Sequence, residues 1–225
     1  MKQAFNEDDE IPQYQLLPNN RRLNVIFKRM KDLVDALPGV PEAEQRKLIE
    51  IMVRIEVPRG GLFIQEGNIP QKFGFVSRGL FRYFYTSKKG AEFTKGFFQE
   101  RAFIAAYSAM VNQTGSYYGI EALEDSVVYV VDYRKWIDLY KGNACWSALL
   151  ITLLEKGYMK KEKREREFLL LDAEDRYKAF LAEYPGLESR IKQHMVASYL
   201  GITPVALSRI RAKIKSEIPP VVNIG

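Results

Sequence analysis

The sequence is poor in cysteine and histidine, and Cys145 and His194 are the only residues of these two types among its 225 residues. A lone cysteine excludes an intrachain disulfide, a cysteine-ligated iron–sulfur cluster and a multi-cysteine zinc site within one chain. His194 lies far from the strand-rich part of the chain, so that part offers no histidine to a haem. We therefore predict that the protein uses no metal, haem or iron–sulfur cofactor.

Long apolar runs are also absent. The first residues, MKQAFNEDDEIPQY, lack the apolar core of a signal peptide. No segment approaches the roughly 18 consecutive apolar residues that a membrane-spanning helix needs. These absences predict a cytoplasmic protein that does not enter a membrane.

The overall composition is typical of a folded protein with a mild positive charge. Apolar residues make up 47% of the chain, and 34 Lys and Arg face 28 Asp and Glu, which gives a net charge of +6 and a pI near 9.2. The length allows two domains of ordinary size. A small excess of positive charge suits a polyanionic partner, so its distribution along the chain matters more than its total.

The first fifth of the chain contains an arm and two helices. Residues 1–22 hold the acidic cluster EDDE without a helical period and predict an extended N-terminal arm, to which we assign no role. Apolar residues then recur every three or four positions, which predicts a helix over 22–37 that ends before Pro38. A second short helix is predicted from Pro41 to about Met52.

From Val53 to Trp136 the pattern changes to short apolar or alternating runs separated by turn residues, such as PRGG, EGN and SKKG. This rhythm is typical of five to eight short strands that close into a small β-barrel or jelly roll. The stretch AFIAAYSAMV at 102–111 is predicted to be a helix that interrupts the strands.

A long helix is predicted over 142–171, with an apolar stripe along one side. Two interpretations of this stripe stay open: it packs on the barrel, or it forms a seam with the same helix of a second chain, where Gly157 lets the helices approach closely. Both can hold in different turns of the helix. The residues of the predicted dimer helix are Trp146, Leu149, Leu150, Leu153, Leu154 and Gly157.

The stretch HMVASYLGITPVALSRIRAK, residues 194–213, predicts a helix-turn-helix motif in a small all-helical domain that starts at Asp172. Gly201 can adopt the positive φ that ends a helix sharply. Thr203 can cap the next helix, and Pro204 suits the first helical position because its missing N–H needs no partner there. The predicted core of the motif consists of Val196, Leu200, Ile202, Leu207, Ile210 and Ile214.

This core assignment leaves one side of the second helix free to meet a DNA groove. Between Arg190 and Ser216 the sequence has six basic residues and no acidic one, which concentrates charge where phosphates would lie. The residues predicted to read bases are Thr203, Val205, Ser208 and Arg209, and Arg209 is expected to contact guanine. The residues predicted to contact phosphates are Lys192, Arg211, Lys213 and Lys215.

From about residue 22 to 215 the chain resembles the Crp/Fnr family of bacterial transcription regulators. The resemblance rests on the glycines in RGGLFIQEG, FVSRGLFRYFY and SKKGAEF, on YYGIEALEDSVVYVVDYRKW, and most specifically on ASYLGITPVALSRIRAKI. It implies an α+β fold with a cyclic-nucleotide-binding-like effector domain at 23–141, a dimerisation helix at 142–171 and a winged helix-turn-helix domain at 172–225. The implied partners are double-stranded DNA, a second copy of the chain and RNA polymerase.

The sequence departs from this family at the cyclic-nucleotide site. Members that bind cyclic AMP carry a Gly-Glu pair for the ribose and an Arg-Ser/Thr-Ala segment for the phosphate. The matching positions here are Ala105-Ala106 and Ser116-Tyr117-Tyr118, which provide neither the carboxylate nor the guanidinium. We expect that cyclic AMP does not bind in the usual way. An apolar or aromatic-lined pocket for an unidentified effector is predicted at Phe103, Tyr107, Tyr117 and Tyr118, with the alternative that these rings are simply core.

Two further functions compete with that of a DNA-binding regulator. A barrel enzyme of the cupin kind would need two or three histidines with a carboxylate, and the strand-rich segment has no histidine. We therefore predict that the protein is not an enzyme. A ligand-sensing or scaffold module that has lost DNA binding remains the alternative, and a salt series of DNA binding would discriminate the two.

Overall fold

The structure, a computed structural model, describes residues 30–217, with the backbone alone at Lys31 and Glu217. The helices are α1 (Lys31–Asp35), α2 (Glu42–Ile51), α3 (Tyr107–Asn112), α4 (Tyr133–Gly142), α5 (Cys145–Leu170), α6 (Ala173–Glu183), α7 (Gln193–Leu200) and α8 (Pro204–Glu217), with a 3₁₀ turn at Leu187–Ser189. The strands are β1 (Met52–Val57), β2 (Leu62–Ile64), β3 (Lys72–Arg78), β4 (Phe81–Thr86), β5 (Glu92–Phe98), β6 (Phe103–Ile104), β7 (Gly119–Ala122) and β8 (Ser126–Asp132).

The eight strands form two four-stranded antiparallel sheets, in the orders β1-β8-β3-β6 and β2-β7-β4-β5. The two sheets enclose an apolar cluster that includes Val76, Phe81, Ile120 and Val128. This arrangement confirms the jelly-roll prediction and the α+β fold class, because alternating residues of each sheet face a shared interior.

A second core joins the barrel to the helices at its outer side. Leu33 and Leu48 of the first two helices pack with Trp136 of α4 and with Trp146 and Leu149 of α5. The indole N–H of Trp146 donates to a carboxylate oxygen of Glu44 at 3.0 Å, which satisfies its polar atom within a buried site. The start of the long helix is therefore anchored to its own chain.

The predicted boundaries need three corrections. Residues 103–104 pair with β3 as a strand, so the helix predicted at 102–111 begins only at Tyr107. The strands end at Asp132, where the carboxylate caps α4 by accepting from the backbone N–H groups of Arg134 and Lys135. Helix α4 was not predicted, although an Asp before an apolar helical period is a start signal. The long helix begins at Cys145 rather than at residue 142.

Two predictions lie partly or wholly outside the described residues. The N-terminal arm at 1–22 is one of them. Of the helix predicted over 22–37, the described part contains Met30 and α1, and Leu33 and Leu37 are buried there as the pattern predicts. The second predicted helix matches α2 closely, with Pro41 at its N-cap.

The C-terminal domain packs directly on the barrel. Helices α6, α7 and α8 share one apolar cluster, which also contains Leu80, Phe97 and Leu123 of the barrel. The C-terminal domain and the barrel therefore form a continuous core in this conformation.

Candidate nucleic-acid interface

Helices α7 and α8 form the helix-turn-helix predicted from the sequence. Gly201 ends α7 in the left-handed conformation, at φ 70°, and the backbone N–H of Ile202 donates to the carbonyl of Ala197 at 3.0 Å. The Thr203 hydroxyl accepts from the N–H of Ala206 at 3.1 Å and so caps α8, which begins at Pro204. Every structural role that the sequence predicted in this turn is confirmed.

The core of the motif sets the rotation of α8. Leu207 and Val196 are fully buried, and Leu200 is nearly so. Ile202, Ile210 and Ile214 pack against the same cluster and are partly buried. Because Leu207, Ile210 and Ile214 lie one helical turn apart, they hold one face of α8 against the domain and turn the opposite face outward.

The predicted base-reading residues lie on that outward face. Thr203, Ser208 and Arg209 are exposed, and Val205 keeps 62% of its surface accessible although it is apolar. Within residues 30–217 the Arg209 guanidinium has neither a hydrogen-bond nor an ion-pair partner. These four side chains thus share one accessible surface, which we call the open face of α8.

The basic residues of the acid-free segment fall into two groups in space. Lys192, Arg209 and Lys215 are exposed. The other three basic residues pair with acidic residues from elsewhere in the chain, and one of these pairs joins Lys213 to Glu174 at 2.5 Å. The number of unpaired basic residues is therefore smaller than the acid-free segment predicts, because the carboxylates that pair with them lie outside that segment.

Arg211 is the clearest departure from the predicted phosphate contacts. Its guanidinium donates to the Glu188 carboxylate through Nε, at 3.1 Å, and through a second nitrogen. It also donates to the Tyr177 hydroxyl at 3.2 Å. Burial tends to lower the pKa of Arg211, but the hydrogen bonds that its guanidinium donates to Glu188 and Tyr177 outweigh this effect, so the pKa is raised. Arg211 is half-buried and bound within its own domain, so a phosphate contact by Arg211 would require the guanidinium to leave Glu188, and its role in DNA binding stays a prediction.

Arg190 joins the C-terminal domain to the barrel. Its guanidinium makes two hydrogen bonds to Glu124, at 2.9 and 2.8 Å, and two to Glu100, at 2.8 and 3.1 Å. The hydrogen bonds that Arg190 donates to Glu124 and Glu100 raise the pKa of its guanidinium. Such bidentate, charge-assisted pairs fix orientation as well as distance.

Strand β5 provides the rest of this contact. The Thr94 N–H donates to the hydroxyl of Ser198 on α7 at 2.9 Å. The Phe97 ring contacts Phe180, Tyr184 and Tyr199, with centroids 5.7–6.3 Å apart. The first helix of the motif therefore faces the barrel, while α8 keeps its open face.

The long helix α5 has two different faces. Trp146 and Leu149 are buried against their own barrel, and Leu153 packs at the edge of the same core. The part of the seam prediction that gave Trp146 and Leu149 to a partner chain is therefore wrong, and the packing interpretation holds for this turn. Leu150 and Gly157 border a cleft on the barrel side, and Leu154 is exposed.

A second stripe on α5 lies on a different side of the helix from Trp146 and Leu149, although its member Leu154 also lines the cleft beside the barrel. Its members follow each other at alternating steps of four and three, the spacing of coiled-coil contact positions. They are Ser147, Ile151, Leu154, Tyr158, Lys161, Glu165 and Phe168. The apolar members Ile151, Leu154, Tyr158 and Phe168 are all exposed. We call this set the outward stripe; apart from Leu154 its members were not predicted, because the barrel-facing stripe is more apolar.

The barrel interior is filled by aromatic side chains. Tyr83 and Tyr118 are buried and stack with centroids 5.3 Å apart, and both hydroxyls donate to the carbonyl of Ala105, at 3.3 and 3.2 Å. The N–H of Ala105 donates back to the Tyr83 hydroxyl at 2.8 Å. Burial raises the pKa of Tyr118 to about 12 and also raises that of Tyr83, so both phenols stay protonated and can donate.

The four aromatic residues predicted to form an effector pocket do not come together. Phe103 and Tyr107 line the cleft beside α5. Tyr118 belongs to the barrel interior, and Tyr117 points into solvent with 78% of its surface exposed. The core alternative is therefore correct for Tyr118, and the prediction of one shared pocket is wrong.

The positions that match the cyclic-nucleotide cassette are occupied by internal contacts. Ala105 is bonded to the two tyrosines, and Ala106 is fully buried. Ser116 is buried and donates its hydroxyl proton to the Tyr118 carbonyl at 2.7 Å. These positions provide no guanidinium for a cyclic phosphate, and the cation that lies nearby is the Lys95 ammonium, 3.9 Å from the Tyr118 ring centroid.

Within the part of the chain that the structure describes, no group of three or more His, Cys, Asp or Glu side chains is placed to hold a metal ion. Over the same residues, no helix has the length and apolarity that crossing a membrane requires.

Comparison with known families finds a match over the barrel. Residues 54–143 match the family model described as cyclic nucleotide-binding domain. The comparison with curated protein sequences finds no match.

Solved structures with the same fold include several transcription regulators. The chain is similar to FixK2 from Bradyrhizobium japonicum, at 14% identity and a TM-score of 0.66, covering 74% of this chain and 85% of that one. It is similar to the c-di-GMP responsive global regulator CLP from Xanthomonas campestris, at 13% identity and a TM-score of 0.64, covering 78% and 92%. A Crp/Fnr family regulator from Eubacterium rectale shows 16% identity and a TM-score of 0.63, covering 81% and 88%. At these identities the likeness shows a shared fold.

Proposed function

Because its barrel belongs to the cyclic nucleotide-binding domain family and the chain has the fold of the Crp/Fnr regulators, we propose that the protein is a sequence-specific DNA-binding transcription regulator. It acts as a homodimer in the cytoplasm and is not an enzyme. The observation that carries this proposal is the open face of α8, where Arg209 and its neighbours are accessible although the rest of the motif is packed.

The residues on and beside the open face have two different roles in DNA binding. Arg209 reads a base edge in the major groove, with guanine as the best match for a bidentate guanidinium. Thr203, Val205 and Ser208 border the same bases. Lys192 and Lys215 are exposed and hold phosphates, while Lys213 contributes to phosphate binding only when it leaves Glu174.

Dimerisation uses the outward stripe of α5. Its four-three spacing and the exposure of Ile151, Leu154 and Tyr158 support a helix pair about a twofold axis. Such a dimer sets two copies of α8 about one turn of DNA apart, roughly 34 Å, on a palindromic site. RNA polymerase is a further partner in this proposal.

A gel-shift salt series tests DNA binding. Two chains that each place Lys192 and Lys215 on phosphates neutralise about four charges, so log K should fall with log salt at a slope of about −3 to −4. The probe is a random-sequence duplex. Lys88→Met, at an exposed turn of the barrel, is the control variant and should give the same slope as the wild type. A flat salt response would favour a ligand-sensing module without DNA binding.

Sedimentation tests the dimer with two neighbouring exposed residues of α5. Tyr158 lies in the outward stripe, and Met159 is also exposed but lies outside the stripe. Tyr158→Asp should shift the protein to monomer because a carboxylate would be buried at the seam. Met159→Asp should leave the dimer intact; equal behaviour of the two variants would contradict the seam.

A further inference from the structure

Strand β5 contains one residue that the neighbouring strand does not match. Tyr83 of β4 pairs with Gly96, and Phe84 pairs with Thr94, so Lys95 lies between these pairs as the extra residue of a β-bulge. A bulge bends its strand and redirects the side chain at that point. The Lys95 side chain lies on the tyrosine-rich side of the hairpin that β4 and β5 form.

Three tyrosine rings lie around the ammonium group of Lys95. Its Nζ is 3.9 Å from the ring centroid of Tyr118, 5.8 Å from that of Tyr83 and 5.9 Å from that of Tyr85. Within residues 30–217 no carboxylate forms an ion pair with this ammonium. The residue is partly exposed, so the rings hold the amine at one place where a small molecule can still reach it.

Two further cations, on helix α5, act on the same amine. The rings attract a charged amine, but burial disfavours the charge and Lys161 and Arg164 repel it, so the pKa of Lys95 is lowered from its ordinary value of 10.5. A lysine that is partly desolvated and stands next to other cations is an activated nucleophile, because a larger fraction of its amine is unprotonated and free to attack.

Lys72 offers a comparison within the same barrel. Its Nζ lies 5.0 Å from the Phe63 ring centroid, and burial lowers its pKa as well. Among the described residues no cation contributes to that shift. Lys95 therefore differs from Lys72 by the two cations of α5, and cations of this kind also bind the phosphate group of a reactant.

We propose that Lys95 is a site of acylation by an acyl phosphate. The Lys95 nitrogen attacks the acyl carbon and forms the C–N bond, and the C–O bond to the phosphate breaks, so that the phosphate leaves with the electron pair. The ammonium gives one proton to solvent before the attack and a second proton to the released phosphate. Lys161 and Arg164 hold the donor's phosphate beside the amine. The product is a neutral amide, which these two cations no longer repel.

The test is acetylation of the full chain by acetyl phosphate, followed over time by peptide mass spectrometry. Lys95 should be acetylated at least about threefold faster than Lys72 and than the exposed Lys88. In concentrated urea the three rates should become similar, because only the folded chain places Lys95 beside the rings and the two cations. Similar rates in the folded protein would overturn the proposal.

Lys161→Met tests the role of the cations on α5. Lys161 is exposed, so its replacement should leave the fold intact. Acetylation of Lys95 should slow by about twofold to fivefold, as expected for the loss of one exposed charge, and acetylation of Lys72 should stay unchanged. Arg166→Met removes another exposed charge from the same helix and should leave the Lys95 rate unchanged. No slowing in Lys161→Met, or equal slowing in both variants, contradicts the proposal.

A neutral donor separates the two effects of the cations on the reaction. The N-hydroxysuccinimide ester of acetic acid transfers the same acetyl group but carries no phosphate. Lys95 should still react faster than Lys72 with this ester, and Lys161→Met should slow the reaction less than it slows the reaction with acetyl phosphate. Equal slowing with both donors would rule out the phosphate contact. DNA takes no part in these measurements, so their outcome is independent of the proposed regulator.

Discussion

The C-terminal domain has one side that is docked and one that is open, and the basic residues on the two sides have different tasks. On the docked side Arg190 is bound by Glu100 and Glu124 of the barrel, and Ser198 is bound by strand β5. On the open side Ser208 and Arg209 are exposed. All four belong to the segment between Arg190 and Ser216, which has no acidic residue. Partners from distant segments therefore decide which positive charges are left for DNA.

The largest expected difference between the two sides concerns two apolar residues of α8. Leu207→Ala should lower the free energy of unfolding by about 2–5 kcal/mol, because Leu207 is fully buried and its removal leaves a cavity. Val205→Ala should change stability by less than about 0.5 kcal/mol, since Val205 is exposed. Urea unfolding measures both. Similar losses would mean that α8 is rotated differently.

A smaller difference is expected between the two arginines of α8. Arg211→Met should destabilise the protein by about 1–2 kcal/mol, because it leaves Glu188 and Tyr177 without their half-buried partner. Arg209→Met should be neutral in urea unfolding but should weaken DNA binding. If Arg211→Met weakened DNA binding as much as Arg209→Met while leaving stability unchanged, Arg211 would be a phosphate contact after all.

The smallest expected effect is a pH dependence of the free energy of unfolding that arises from the contacts on the docked side. Burial tends to raise the pKa of Glu100, but hydrogen bonds from Arg190 and from the backbone N–H groups of Glu100 and Gly79 outweigh it, so the pKa lies below its ordinary value of 4.5. A lowered pKa in the folded state gives stability that is present above pH 4.5 and is lost as the pH falls through the lowered value.

Urea unfolding between pH 7 and pH 3 should therefore show an acid loss that is smaller in Arg190→Met than in the wild type. An equal acid loss in both proteins would show that Glu100 does not depend on Arg190.

Local sequence patterns predicted the parts of the fold that depend on residues close together in the chain. The turn at Gly201, the Thr203 cap and the burial of Leu207 follow from backbone conformation and helical periodicity over a few residues. The strand rhythm predicted the jelly roll for the same reason. The N-cap at Asp132 was a local signal too, and helix α4 could have been predicted from it.

Long-range contacts could not be predicted in this way. Nothing near Arg211 in sequence indicates that Glu188 will bind it, and nothing near Ala105 indicates that Tyr83 will occupy its carbonyl and N–H. The barrel-facing stripe of α5 was predicted as a possible dimer seam because helical periodicity identifies an apolar face but does not show whether that face packs on the same chain or on a partner chain. The open face of α8 could be predicted because its opposite face is core.

The most direct test of the account is binding-site selection with the wild-type protein and Arg209→Ala. The wild type should select a palindrome with one strongly preferred base pair in each half-site. Arg209→Ala should relax the preference at that position alone, by about 1–3 kcal/mol, with the same fold and the same dimer. An unchanged base preference in the variant would contradict the assignment of α8 as the helix that reads DNA.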